Sequence, residues 1–285
     1  MKRLIIFFLI LNVNLFSQND DQNNLKPDPN KRKQISYEGR VAPFTYICKL
    51  SMIRSVRILG CQSGPFIGTG SFISPNCIIT ANHNTKTKFL SYVKYLHITI
   101  CQIDKNDTNG LGSKTFSVKN LRIIKLEGVN VDISLIFLPD SSLYNNIKNK
   151  DIKNKFEMGN IDSIDINNLH IAGYPNDVID SVSKSISNST LYYESLNDSK
   201  LWDMNENKNN SLKYNFYTRR GMSGAPVWTE IDGKYILIGV HRTGIKKNDK
   251  VNSELNSNIA TPINNKIYKQ IIKYLKLYSI DKKEL

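Results

Sequence analysis

A serine framed by glycines stands in the string RRGMSGAPVW, as Gly221-Met222-Ser223-Gly224, directly ahead of an apolar run that reads as a strand. Glycine on both sides permits a tight backbone turn that exposes the hydroxyl and aims the amides of Gly221 and Ser223 at one point, where an oxyanion would sit. A serine hydroxyl is a weak nucleophile near neutral pH and needs a base within hydrogen-bond reach, most often a histidine. The chain has four. His83 follows SFISPNCIITAN, a strand pair ending at Asn82, so its ring falls at a strand end where loops gather. His97 and His170 lie inside strand-like runs, where a histidine more often packs than reacts. The base in turn needs a carboxylate that fixes its tautomer and stabilises its charged form. Asp132 opens VDISLIFLP as the one acid in an apolar stretch, and a charge buried there requires a partner. Taken singly, each string also fits something plainer, a Gly-Ser turn into a hairpin or a strand-cap aspartate. Together His83, Asp132 and Ser223 run in the order base, acid, nucleophile, at separations of 49 and 91 residues.

The elements around these residues are short and apolar. PFTYICKL, SVRILG, TGSFIS, CIITA, YLHITIC, FSVKNLRIIKL and DISLIFL are separated by turn residues and loaded with Ile, Val, Phe, Tyr and Thr. That pattern predicts many strands at short intervals, as in a barrel or a sandwich. A polar Lys/Asn-rich stretch over 140–164 reads as a connector, and a second set follows: LHIAGYP, STLYYES, LKYNFYT, APVWTEI, KYILIGVH and NIATPI. Asp232-Gly233 between two of these runs is a hairpin signal. Only the end is helical in pattern, with Ile267, Ile271, Ile272, Leu275 and Tyr278 at helical spacing among lysines. The expected class is all-β, two β units over 37–139 and 165–285, with a C-terminal amphipathic helix.

Three strings together resemble the trypsin-fold serine endopeptidases: GTGSFISPNCIITANH around the histidine, VDISLIFL at the aspartate and GMSGAPV at the serine. Within that superfamily the chain is most similar to the bacterial glutamyl endopeptidases, through APFTYI, HIAGYPND and IGVHRTG, from about Val41 to Leu275. The resemblance implies two six-stranded antiparallel β-barrels and peptide-bond hydrolysis through an acyl-enzyme. It also implies that Thr218 and His241 bind the carboxylate of a substrate glutamate, in a pocket that Gly244 helps to wall. Met222, Arg219, Arg220 and Arg242 depart from the family pattern, and they bear on the width and charge of that pocket. Two other readings compete: a trypsin-fold protease of different specificity, and a non-catalytic pseudoprotease that binds a partner protein.

Met1-Lys2-Arg3, the apolar run LIIFFLILNVNLF and the site near Ser17 have the layout of a secretory signal over 1–17. The run is shorter than the ~20 residues of a spanning helix and is broken by Asn12 and Asn14, so no stable membrane anchor is expected. Residues 18–36 read as a polar tail or short propeptide that buries no core of its own. The expected protein is secreted, extracellular or periplasmic, and monomeric, acting on protein or peptide substrates. Export permits at least one disulfide among Cys48, Cys61, Cys77 and Cys101, with no pairing favoured. The formal charge of +14, which falls to +12 once Lys2 and Arg3 leave with the leader, favours acidic substrates. No zinc-ligand spacing, helix-turn-helix pattern or aromatic-basic repeat accompanies it, so neither nucleic acid, metal nor cofactor is an expected partner.

Overall fold

The computed structural model describes residues 31–35, 42–56, 62–86, 91–100, 114–145, 156–176, 178–179, 186–187, 191–197, 202–205, 211–243 and 258–279. In the first half lie β1 (Lys33–Gln34), β2 (Ile47–Val56), β3 (Gln62–Ser74), β4 (Cys77–Ala81), β5 (Ser91–Ile100), β6 (Lys114–Val118), β7 (Arg122–Lys125) and β8 (Ile133–Phe137). The second half holds β9 (Phe156–Met158), β10 (Leu169–Gly173), β11 (Val178–Ile179), β12 (Ile186–Ser187), β13 (Tyr192–Leu196), β14 (Trp202–Asn205), β15 (Ser211–Tyr214), β16 (Pro226–Ile231), β17 (Lys234–Thr243) and β18 (Asn258–Pro262). One-turn helices α1 (Asn82–Thr85) and α2 (Ser142–Asn145) interrupt the strands, and α3 (Asn265–Tyr278) closes the described chain.

Among the described residues the strands form two β units, as the apolar runs suggest, built on sheets of seven and nine strands rather than six apiece, with β11 and β12 paired apart from both. Seven antiparallel strands run in the order β6-β5-β2-β3-β4-β8-β7; the second sheet runs β1-β13-β10-β16-β17-β18-β15-β14. Its ninth strand, β9, pairs in parallel with β17. Two of the strands beyond six in the second sheet are short ones inside the stretches read as tail and connector. Lys33 and Gln34 pair with Tyr193 and Tyr192, and Ile35 is buried. Phe156, from the connector, is also buried, edge-on to Trp228.

The central strands are apolar throughout because both of their faces are covered. β4 (CIITA) and β8 (ISLIF) are buried at every position, and each Ile or Leu so placed contributes about 1.5–3 kcal/mol relative to exposure. The hairpin falls where Asp232-Gly233 predicts it: both residues have positive φ, 50° and 73°, and Ile231 pairs with Lys234. Two positive φ values match a tight hairpin turn to the strand twist. Asn264 caps α3 by accepting a hydrogen bond from the Ile267 amide, and Ile267, Ile271 and Leu275 bury its inner face.

Cys48 and Cys77 are buried; Cys48 Sγ lies 3.5 Å from Gly70 O, and Cys77 is a free thiol whose pKa burial pushes well up. Pairings that use Cys77 are therefore not formed, while Cys61 and Cys101 lie outside the described residues. So do the leader over 1–17 and Gly244. Among the described residues no helix is long and apolar enough to cross a membrane.

Candidate active site

Strand register alone brings His83 to Asp132. β4 and β8 are antiparallel, with Ala81 opposite Ile133, so the residue leaving β4 and the residue entering β8 meet at one edge. The ladder continues by one bond, Asn82 N to Asp132 O at 3.1 Å. α1 then turns the chain and sets the His83 ring on the carboxylate. Ser134 Oγ donates to Asn82 Oδ1 at 3.0 Å and Thr85 Oγ1 donates to Ser134 Oγ at 3.0 Å, which fixes that turn against β8.

Asp132 accepts two hydrogen bonds from the same residue, from the His83 amide to Oδ1 at 2.8 Å and from His83 Nδ1 to Oδ2 at 2.6 Å. The histidine side chain is 44% exposed and the aspartate 16%. Such an arrangement holds Nδ1 protonated and leaves Nε2 as the basic nitrogen, facing away from the carboxylate. Burial alone would raise the Asp132 pKa, but the hydrogen bonds and charge of His83, with a smaller contribution from Arg242, bring it below the usual value. Thr261 Oγ1, from β18, accepts the Asp132 amide at 3.3 Å and ties the acid to the second sheet.

Ser223 sits where the two units join. Thr69 of β3 is the staple: its amide donates to Ser223 O at 2.8 Å, its hydroxyl donates to Gly221 O at 2.8 Å, and the same hydroxyl accepts from the Tyr174 amide at 3.1 Å. Asn84, next to His83, donates from Nδ2 to Ser223 O at 2.8 Å and to Thr80 Oγ1 at 3.0 Å. The Ser223 loop is thereby fastened to the element that carries His83. Gly221 and Gly224 have φ of 92° and 89°. A Cβ on Gly221 would lie 2.3 Å from Tyr174 O, and one on Gly224 would lie 2.1 Å from Thr69 O. Both positions therefore require glycine.

Within this loop the amides of Met222, Gly224 and Ala225 donate to Arg219 O, His241 O and Met222 O. The amides of Gly221 and Ser223, by contrast, have no acceptor among the described residues. Two uncommitted N–H groups flanking a serine are what an oxyanion site requires. Ser223 Oγ and the His83 ring are not hydrogen-bonded to each other among the described contacts; nucleophile–base bonds in unliganded sites are often long and tighten with substrate.

Thr218 and His241 each hold a polar partner that the sequence reading did not contain, Asn258 and Tyr214. Thr218 Oγ1 donates to Asn258 Oδ1 at 2.6 Å, and Asn258 Nδ2 donates to Phe216 O. Asn258 pairs with Tyr214 across β15 and β18, and the Tyr214 hydroxyl meets His241 Nδ1 at 2.6 Å. His241 is buried, and burial, together with the nearby charge of His83, lowers its pKa to about 3. It is neutral at pH 7. The contact fits either tautomer of a neutral ring; where the Tyr214 hydroxyl donates to Nδ1, the ring proton is on Nε2. The Thr218 proton is already used on Asn258, so Thr218 offers lone pairs and His241, in that tautomer, is the donor of the two.

Met222 is buried in the second core. Arg219 packs on the Tyr217 ring and donates to its hydroxyl. Arg220 is exposed, and Arg242 Nη1 reaches Asn130 O at 3.2 Å. His97 bonds Ser117, and His170 stacks against Tyr193 and Trp228, which also meet each other; both stand apart from this cluster. Among the described residues no group of three His, Cys, Asp or Glu side chains could hold a metal ion.

No protein-family model matches the chain, and no curated protein matches it. Solved structures do. A Glu endopeptidase, determined in complex with MPD, superposes with a TM-score of 0.59 at 18% identity, over 86% of this chain and 96% of the other. The protease Anisep from Arthrobacter nicotinovorans superposes with a TM-score of 0.52 at 11% identity, over 84% and 96%. The chain has the trypsin-like two-barrel fold. At these identities the likeness establishes the fold, and the chemistry rests on the residues described above.

Proposed function

We infer that the chain is a secreted serine endopeptidase that hydrolyses peptide bonds through an acyl-enzyme on Ser223. The observation that carries this reading is the two-point bond from His83 to Asp132, on an element fastened through Asn84 to a loop whose Gly221 and Ser223 amides are uncommitted. Ser223 Oγ attacks the scissile carbonyl and His83 Nε2 takes its proton. The carbonyl oxygen, now negative, is met by the two amides. His83 then returns the proton to the departing amine, the acyl-enzyme forms, and water attacks it by the same route in reverse. Asp132 stays ionised throughout and stabilises the imidazolium.

The preferred residue before the cut is glutamate. A carboxylate entering a partly dry pocket must be met by hydrogen bonds, and His241 Nε2–H, oriented by Tyr214, supplies one. The likeness to a structure named as a Glu endopeptidase points the same way. A fluorophosphonate probe is expected to label the mature protein once, on the peptide holding Ser223, with labelling abolished by Ser223→Ala or His83→Ala. Persistent labelling of Ser223→Ala would remove this mechanism, and an unlabelled wild type would favour the pseudoprotease. Substrates paired as glutamate against glutamine should differ by about 10²-fold or more in kcat/KM, and His241→Ala should erase most of that difference. A preference for phenylalanine or lysine would end the glutamate assignment and leave the triad standing.

A further inference from the structure

We propose that Arg54 and Phe66 form a second acidic-residue subsite, on the leaving-group side of the scissile bond. This proposal rests on the protease reading above and adds to it the kind of sequence that follows the cut. Phe66 is one of the few large apolar side chains left exposed, at 40%. The guanidinium of Arg54 lies over its ring, 3.9 Å from the centroid. Register explains the pairing: Phe66 on β3 stands opposite Met52 on β2, and Arg54 is two residues along the same strand.

Arg54 is also tied to the catalytic element. Its Nη2 donates to Asn84 O at 3.0 Å, one residue beyond His83. Gly68, two residues after Phe66, lies so close to Asn84 that a Cβ there would fall 2.5 Å from its amide. The Arg54–Phe66 pair therefore flanks the His83 turn, in the first sheet. Thr218 and His241, which would hold the residue before the cut, belong to the second. Because His83 must hand its proton to the departing amine, the leaving segment passes on the His83 side.

The arginine is incompletely paired. It has no carboxylate partner among the described residues, and its Nε is buried with no hydrogen-bond partner. Burial without a counter-ion lowers its pKa, although a guanidinium remains charged. A planar cation held flat on an aromatic ring, with donors uncommitted, matches a carboxylate better than an amide or an ammonium. Phe66 keeps the plane in place and carries the apolar part of the incoming side chain.

The test scans internally quenched peptides that keep one residue before the cut constant, glutamate or whichever the enzyme accepts. Each of the first three leaving-side positions is made glutamate, glutamine or lysine in turn. At one position glutamate should exceed glutamine about tenfold in kcat/KM, the scale of one charge-assisted hydrogen bond. Arg54→Gln should bring that ratio close to one, and Arg54→Glu should reverse it in favour of lysine. Each ratio compares two substrates on one enzyme, so a general loss from disturbing Asn84 cancels. Less than twofold discrimination by the wild type at all three positions overturns the subsite without any variant having to fold. So does a ratio that survives in Arg54→Gln. An enzyme that Ser223 labelling shows to be competent, yet lacks the preference, loses only this subsite; failure to label Ser223 overturns the protease reading and the subsite with it.

Discussion

Asp132 receives both of its short hydrogen bonds from one residue, the amide and the ring of His83. An asparagine there has one oxygen for two bonds: with that oxygen on the His83 amide, its NH2 faces Nδ1 and stabilises the tautomer with Nε2 protonated, which cannot act as the base, and the other flip sets the NH2 against the His83 N–H. Asp132→Asn is therefore expected to fold normally yet lose on the order of 10⁴ in turnover. Near-normal turnover in a folded Asp132→Asn protein would mean that another carboxylate serves His83. Tyr214→Phe tests the pocket in the same way. It removes the hydroxyl that fixes His241 and leaves buried Nδ1 unpaired, at a cost of about 1–3 kcal/mol in stability. The glutamate-over-glutamine ratio should fall by roughly tenfold, measured as paired kcat/KM values. His83, Asp132 and Ser223 are legible in the sequence because each is chemically out of place in its string: a histidine at a strand end, an acid in an apolar run, a serine between glycines. Thr69, Asn84, Tyr214 and Asn258 are not. Threonine and asparagine satisfy backbone groups wherever they occur, and in an asparagine-rich chain nothing in the local string separates these from the others.

At the scale of elements, position comes from register. His83 and Asp132 share an edge because β4 and β8 are paired with Ala81 opposite Ile133, and the Ser223 loop is set by Gly224 N donating to His241 O and His241 N to Ala225 O, which extends the β16–β17 ladder into it. α3 braces this frame from outside. The Asn76 side chain, in the turn before β4, donates to Tyr278 O at 3.1 Å, and the Tyr278 ring meets Phe137 of β8 edge-on. Its cap is the single feature most exposed to test. Asn264→Ala should cost about 1 kcal/mol, seen as a Tm lower by roughly 2–4 °C, while Asn264→Ser should retain most of the stability. Equal Tm values for the alanine variant and the wild type would mean that packing alone holds the helix. The helix and the hairpin were legible because each repeats a pattern over enough residues to be counted. β1 and β9 were not, being two and three residues long. Strands so short have no period of their own, and they are strands only because β13 and β17 offer an edge.

For the whole molecule, two buried histidines couple folding to pH. Burial lowers the pKa of His170 to about 4 and that of His241 to about 3, against an ordinary value of 6.5. Both are neutral when folded, and in the unfolded chain both take up a proton as the pH falls through the ordinary value. The unfolded state then binds more protons, so stability declines as the pH drops below about 6.5 and goes on declining until each folded pKa is reached. Each group contributes about 1.4 kcal/mol per pH unit inside its window. Asp132 has the opposite chemistry and the same sign: its carboxylate is favoured by folding, so its contribution is present above the ordinary value of 3.8 and lost as the pH falls through the lower folded value. That loss begins below pH 5 and leaves the interval from pH 7 to 5 to the histidines. Urea unfolding at pH 7, 6 and 5 should show the midpoint falling mainly between pH 6 and 5, with a net uptake on unfolding that approaches two protons. His241→Gln, which removes one of the two groups, should roughly halve the slope over that interval. Equal free energies of unfolding at pH 7 and 5 would mean that neither ring is held neutral by its surroundings, and the orientation of His241 as a pocket donor would lose its physical basis.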